Sequence, residues 1–180
     1  SKLAAENYIL GHLSNDIKRK VYILRPSMIH GPGNKGNLNL LIKLVQKGLP
    51  WPLGAFNNKR SFTSIENLGF IIHQLIEKPV DTGIFNVADD EAISTNELIG
   101  IIGDELKKKI KILQINVELI NAAAKLGSLL HLPLNEERLE KLTENYVVSN
   151  AKIKQALGIG KLPVNAEDGF RETIKSFVKK

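Results

Sequence analysis

Two hydrophobic rhythms alternate along this chain, and that alternation is the strongest limit on what it can fold into. Val21-Tyr22-Ile23-Leu24 is a short continuous apolar run halted by Arg25-Pro26, the pattern of a strand buried on both faces. Before it, Leu3, Tyr8, Leu10 and Leu13 suggest a helix to about Asn15; after it, Leu38, Leu41, Leu44 and Val45 recur at helical spacing until Gly48. A helix that feeds a buried strand and is followed by another helix is the end of a doubly wound parallel sheet, so the chain reads as α/β.

The alternation continues downstream. Leu49 to Lys59 is a loop rich in Pro, Gly and Asn, leading to a short strand near Ser61-Phe62-Thr63 and to an amphipathic helix on Ile65, Leu68, Ile72 and Ile76 that ends before Pro79. Gly83 to Val87 reads as a strand, and Ser94-Thr95-Asn96-Glu97 as a capping box in front of Leu98, Ile101, Ile102 and Leu106. Ile110 to Ile115 is expected as a last strand, Val117 to Leu126 as a helix capped by Gly127, and Asn135 to about Thr143 as another helix. Tyr146-Val147-Val148 suggests a short strand. Asn150 is expected to cap a helix ending at Leu157-Gly158, and Asn165 one carrying Phe170, Ile174 and Phe177. No internal repeat or low-complexity segment interrupts the series.

Composition narrows the function classes. With 180 residues, 43% hydrophobic, the chain can bury a core, and it has no run of about 18 apolar residues and no leader pattern. A soluble, cytoplasmic protein without membrane contact is the expectation, and the zero cysteine count agrees with it. The net charge of +6 raises nucleic-acid binding as an alternative. The basic residues are scattered along helices, however, and Lys107-Lys108-Lys109 with Lys111 closes a helix whose dipole favours cations, with no aromatics interleaved for base stacking. Nucleic acid is therefore not an expected partner. The four histidines are far apart and no metal-ligand spacing occurs, so no metal is expected.

Three pieces carry a more specific signal: Ser1-Lys2-Leu3-Ala4-Ala5-Glu6, then Val21 to Pro26, then Ile29-His30-Gly31-Pro32-Gly33. In this order and spacing they resemble the C-terminal half of an extended short-chain dehydrogenase/reductase of the NAD-dependent epimerase/dehydratase family. The resemblance implies the end of an NAD(P)-binding Rossmann domain over residues 1–33 and a substrate-binding lobe with returning Rossmann elements over 34–180. In such enzymes a catalytic Tyr lies four residues before the Lys, which here would precede Ser1. The chain is therefore expected to be part of a longer protein.

The site residues implied by the resemblance follow. Lys2 would hydrogen-bond the nicotinamide ribose and lower the pKa of that Tyr through its charge. Pro26 and Ser27 would pack beside the carboxamide of NAD or NADP. Asn37 and Leu38 open the helix whose N-terminus would receive the diphosphate of a UDP-sugar. Trp51-Pro52-Leu53, followed by Gly54, would form the loop whose backbone holds the uracil, and Arg60 would clamp the diphosphate through its paired donors. Gly31-Pro32-Gly33-Asn34-Lys35-Gly36 spells G-x-G-x-x-G, but the strand is expected to end near Leu24 and the next acid is Glu66, too far for a ribose-binding acid. Met28 and His30 depart from the family pattern, which has Asn and Tyr there; the apolar Met28 and the run Asn58-Lys59-Arg60-Ser61 shift the resemblance towards reductases of UDP-4-keto-6-deoxy-N-acetylhexosamines.

The reading is thus part of an NAD(P)-dependent epimerase or 4-keto-reductase acting at C4 of a UDP-hexose for cell-surface polysaccharide. The alternative is a non-catalytic sensor or scaffold that keeps the fold. The strand at Val21 to Leu24 is expected to present an unpaired edge that could pair with a second copy as a homodimer. Because the chain has no glycine fingerprint at a first βα turn, it should not bind NAD tightly by itself. Calorimetric titration of the 180 residues with NAD should give no saturable heat in the micromolar range, and saturation there would refute the expectation.

Overall fold

The computed structural model describes residues 1–13, 19–34, 37–130 and 135–178. Its elements are α1 (Lys2–Leu13), β1 (Tyr22–Pro26), β2 (Met28–His30), α2 (Asn37–Gln46), β3 (Phe62–Ser64), α3 (Ile65–Glu77), β4 (Gly83–Val87), α4 (Thr95–Glu105), α5 (Val117–Leu129), α6 (Glu136–Thr143), α7 (Ala151–Leu157) and α8 (Ala166–Val178). β1 pairs with β4 in parallel from Tyr22 opposite Gly83 to Pro26 opposite Val87, and β2 pairs with β3 in parallel from Met28 opposite Phe62 to His30 opposite Ser64. Parallel pairs need long crossovers, and α2 and α3 lie within them.

Local chemistry starts and stops the helices. Ser64 ends β3 and at once caps α3, its hydroxyl accepting from the Asn67 N–H; α3 then buries Asn67, Ile71 and Leu75 at four-residue spacing and stops before Pro79. Ser94 and Glu97 satisfy each other's backbone N–H groups in the expected capping box, which opens α4. Gly48 and Gly158 follow their helices with φ of +68° and +64°, conformations that glycine adopts without strain.

Apolar burial divides into two cores. The larger is built from α2, α4, α5, α6 and α8 around Val45, Trp51, Ile99, Ile102, Phe170 and Ile174; the smaller packs α3 and α7 against β1 and β4 through Ile71, Phe85, Val87, Ile153 and Leu157. Three consecutive acids after β4 lie between them. The buried Asp89 carboxylate accepts from the Ser64 N–H at 3.0 Å, from the Asn67 side-chain amide at 2.7 Å and from His30 Nε2 at 3.4 Å. The His30 ring stacks on Phe170 with centroids 4.0 Å apart, and its Nδ1 lies 3.0 Å from the Thr173 hydroxyl, so Asp89 ties β2, β3, α3 and α8 together. Asp90 accepts from Lys154 Nζ at 2.6 Å, Asn150 at 2.8 Å and the Leu162 N–H at 2.8 Å, fixing α7. Glu91 accepts from the Ala166 N–H at 3.0 Å, the first amide of α8.

The structure corrects several expectations. β1 runs on through Arg25-Pro26 instead of stopping at Leu24, because those residues pair with Asn86 and Val87. The same pairing covers one edge of β1, which was expected to be open; its other edge has no ladder partner among the described residues. Ile110 to Ile115 forms only isolated bridges to Trp51 and Leu53, and Tyr146 only a bridge to Arg60. Gly127 does not end α5: the helix continues to Leu129 and buries Gly127 in its interior. Asn150 precedes α7 without a side-chain cap, since its amide donates to Ala88 O and Asp90 instead. The expected end of the first helix near Asn15 lies outside the described residues, as do Lys35 and Gly36 of the glycine run.

Burial opposes ionisation of Asp90, but Lys154, the Leu162 N–H and Asn150 outweigh it and hold its carboxyl below the usual range. A lowered folded-state pKa contributes stability above the unfolded value, about 3.9, which is lost as pH falls through the folded value. Asp90→Asn should cost about 1–2 kcal/mol at neutral pH. The gap between the variant and the parent chain in urea unfolding should hold at neutral pH and narrow as pH drops below about 5, and a gap independent of pH would show that Asp90 contributes only as a neutral acceptor.

Candidate functional site

β1 delivers its last residues to the place where an open α/β sheet offers a crevice, the carboxyl end of its strands. Just past Pro26, the Ser27 N–H donates to Val87 O at 2.9 Å. The Ser27 hydroxyl lies 2.8 Å from Thr63 Oγ1, whose own proton goes to Val87 O at 3.0 Å. The two sheets therefore meet at Ser27. Arg25 holds α1 against this end through a two-pronged pair with Glu6, which keeps the Glu6 carboxyl below its ordinary range. Lys2 is exposed one turn before Glu6, on the stretch of α1 that this pair holds to β1. Pro26 and Ser27 thus lie at the end of β1, Lys2 stands exposed one turn from the Glu6–Arg25 pair, and Glu6, read from sequence as a surface or packing residue, is what fixes α1 to β1.

A second group of residues converges beneath α6. Trp51 is buried, and its indole N–H donates to Asn96 Oδ1 at 2.7 Å; the Asn96 amide in turn donates to Gly54 O and Phe56 O, both at 3.0 Å, so the first turn of α4 orders the Trp51 loop. The Trp51 N–H donates to Lys111 O, and Trp51 O accepts from the Leu113 N–H. The backbone N–H and C=O of Trp51 are therefore committed to residues 111–113 rather than left for a uracil as the resemblance implied.

Arg60 is locked in place by a reciprocal backbone pair with Ile93. Its guanidinium, 11% exposed, donates to Lys141 O and to Glu144 Oε1 at 3.2 Å. Asn58 and Thr95 both donate to Leu142 O, so three side chains satisfy the last carbonyls of α6, at the negative end of its dipole.

Met28, Leu38, Arg60 and Phe62 line a cavity of about 30 Å³ under Lys141 and Leu142. It shares Leu41, Lys141 and Leu142 with a cleft of about 410 Å³ whose walls include Trp51 and Arg138. Leu38 and Arg60 thus line the small cavity and Trp51 the larger cleft, two neighbouring spaces that share Leu41, Lys141 and Leu142. Pro52 is half-buried beside it, whereas Leu53 is a core residue. Asn37 opens α2. Arg138 and Lys141 were not singled out from the sequence, and Thr95 was read only as part of a capping box.

The G-x-G-x-x-G run has a different cause from the one its spelling suggests, and one reason given against it needs revision. β2 does precede Gly31 directly, so a strand leads into the run; that strand pairs with β3 and not with β1. A Cβ on Gly31 would sit 2.7 Å from Ile65 Cγ2, so the glycine is needed for contact with the start of α3. Among the described residues no group of three or more His, Cys, Asp or Glu could hold a metal ion.

No protein-family model matches the chain. It is 32% identical over 181 aligned residues to a UDP-glucose 4-epimerase of Vibrio cholerae, covering 99% of this chain and 53% of the relative. It is 27% identical over 140 residues to the N-acetyl-alpha-D-glucosaminyl-diphospho-ditrans,octacis-undecaprenol 4-epimerase of Escherichia coli O157:H7, covering 77% of this chain and 40% of that protein. The fold matches the Bordetella bronchiseptica enzyme WbmG, whose crystal structure holds NAD and UDP, with a TM-score of 0.67 at 17% identity over 99% of this chain and 49% of that one. The chain spans about half the length of these relatives, and across that span its curated relatives and structural neighbours are nucleotide-sugar epimerases and related enzymes of the NAD-dependent epimerase/dehydratase type.

Proposed function

We propose that the protein containing this chain is an NAD(P)-dependent epimerase or 4-keto-reductase acting at C4 of a UDP-hexose, in the cytoplasmic supply of sugar for cell-surface polysaccharide. The observation that carries the reading is the placement of Leu38 and Arg60 on one cavity and Trp51 on the neighbouring cleft, which share Leu41, Lys141 and Leu142, in a chain 32% identical to a UDP-glucose 4-epimerase. Bound NAD(P) would supply hydride exchange with C4. Pro26 and Ser27 fit that group because they lie at the carboxyl end of β1, where Ser27 and Thr63 pair their hydroxyls, and Lys2 stands one turn before the Glu6 that Arg25 holds. Lys2 would orient the ribose and favour the ionised form of a neighbouring general base.

The diphosphate falls to Arg60. Its partner Glu144 is already an anion, so an incoming phosphate replaces one negative acceptor by another without leaving the guanidinium uncompensated. Lys141 and Arg138 add cations along the wall that leads to Trp51. The relative from Escherichia coli O157:H7 is named for a sugar joined through a diphosphate to a lipid. The moiety common to that substrate and a UDP-sugar is a hexosyl diphosphate, the part assigned here to Arg60.

Steady-state kinetics of the full-length protein test this assignment. Arg60→Ala should raise KM for the UDP-sugar at least about tenfold with little change in kcat, since a charged hydrogen bond is worth about 1.5–3 kcal/mol. Glu144→Gln should lower KM by removing the competing anion, an effect that a merely structural role for Arg60 would not produce. Unchanged KM in both variants would remove Arg60 from the site. Trp51 is the sole tryptophan, so its fluorescence reads the cleft directly. UDP should change that emission saturably, and an emission blind to saturating UDP-sugar would place the nucleotide elsewhere.

A further inference from the structure

Helix α5 has two apolar faces, and only one of them is used. At about 100° per residue, Ile120, Ala124 and Gly127 share the face that packs inward. Ala123, Leu130, Leu119, Leu126, Ala122 and Leu129 follow one another around a second arc about 120° wide on the other side. That arc faces solvent: Leu119, Leu126, Leu129 and Leu130 are 66%, 61%, 75% and 63% exposed. Isolated exposed leucines are ordinary, but a continuous stripe at i, i+3, i+4 and i+7 is the pattern of a face that is covered in use.

We propose that this face of α5 docks on the surface of a lipid bilayer rich in anionic headgroups. Two observations favour a bilayer over a protein. The stripe is wholly aliphatic, with none of the Trp, Tyr or Arg anchors that concentrate energy in protein interfaces, and a fluid acyl boundary accepts such a face without shape complementarity. Cations lie near it: Lys125 is on its flank just beyond Glu118, and the exposed lysines at 107, 108, 109 and 111 precede the helix in the chain, outnumbering that one acid. Lys111 precedes Val117 by six residues, a reach of about 20 Å at most. Exposed Ile112 and Leu113 lie in between. Lysines beside an apolar helical face are attracted to anionic headgroups and place the leucines at the acyl boundary.

Among the described residues no helix is long and apolar enough to cross a membrane, so the contact is peripheral. It departs from the expectation of no membrane contact, and it stands apart from the reading of the cleft, since α5 contributes no residue to the cavity under Arg60.

Flotation of the full-length protein with vesicles tests the inference, using phosphatidylcholine alone and phosphatidylcholine mixed with phosphatidylglycerol. The protein should float with the mixed vesicles, less so at high salt, and far less with phosphatidylcholine alone. The double variant Leu126→Asp/Leu130→Asp should lose at least about tenfold in partitioning while keeping its circular dichroism spectrum and its UDP response. Lys109→Gln/Lys111→Gln should weaken binding chiefly at low salt. Flotation unaffected by both double variants would overturn the proposal, as would its absence with mixed vesicles. A dimer in sedimentation velocity that the leucine variant dissociates would assign the face to a second copy instead.

Discussion

Everything that positions the site hangs on three neighbouring carboxylates. Asp89, Asp90 and Glu91 follow β4 without a break, and each captures different donors: Asp89 the start of α3 and the His30 ring, Asp90 the α7 segment, Glu91 the first amide of α8. A buried carboxylate is costly unless its acceptor sites are filled, so Asp89 and, less strictly, the half-buried Asp90 specify where their donors must sit, while the exposed Glu91 adds a surface hydrogen bond. Removing one partner leaves a buried group unsatisfied, which makes the arrangement cooperative rather than additive. The consequence is geometric: Ser27 at the end of β1, Thr63 on β3 and the backbone of Val87 are held within hydrogen-bond reach of one another.

The same economy of donors governs the cleft. The C-terminal carbonyls of α6 rest on Arg60, Asn58 and Thr95, so the cation assigned to substrate also supports the helix above it. A ligand that engages Arg60 through Glu144's position therefore acts on α6 as well, and binding and local order are linked through one guanidinium. His30 illustrates the opposite outcome. A residue in a motif that resembles a site position is consumed by structure: its ring is stacked on Phe170 and both nitrogens face buried partners.

Much of the fold was legible where local chemistry decides. Gly83 to Val87 reads as a strand and is β4, and the Ser94–Glu97 capping box opens α4 as its spacing requires. What escaped depends on distant partners. Nothing near Arg25-Pro26 announces Asn86 and Val87 across the ladder, and nothing near Asn150 announces that Asp90 will draw its amide away from a cap. Gly127 reads as a stop because glycine commonly follows helices, but here it lies on the packed face of α5. In the site, Leu38, Trp51 and Arg60 were found through family resemblance. Arg138 and Lys141 were missed because cations at helical spacing among glutamates look like a solvated face until α6 is seated on the cleft.

If the acid run couples the two cores, they must lose structure together. The decisive measurement is urea unfolding followed by two probes at once: Trp51 emission for the larger core, and amide exchange of β1 and β4 for the smaller one. A shared midpoint for both probes is the predicted result. Clearly separated midpoints, with one core persisting after the other has opened, would contradict the claim that Asp89, Asp90 and Glu91 bind them into one unit.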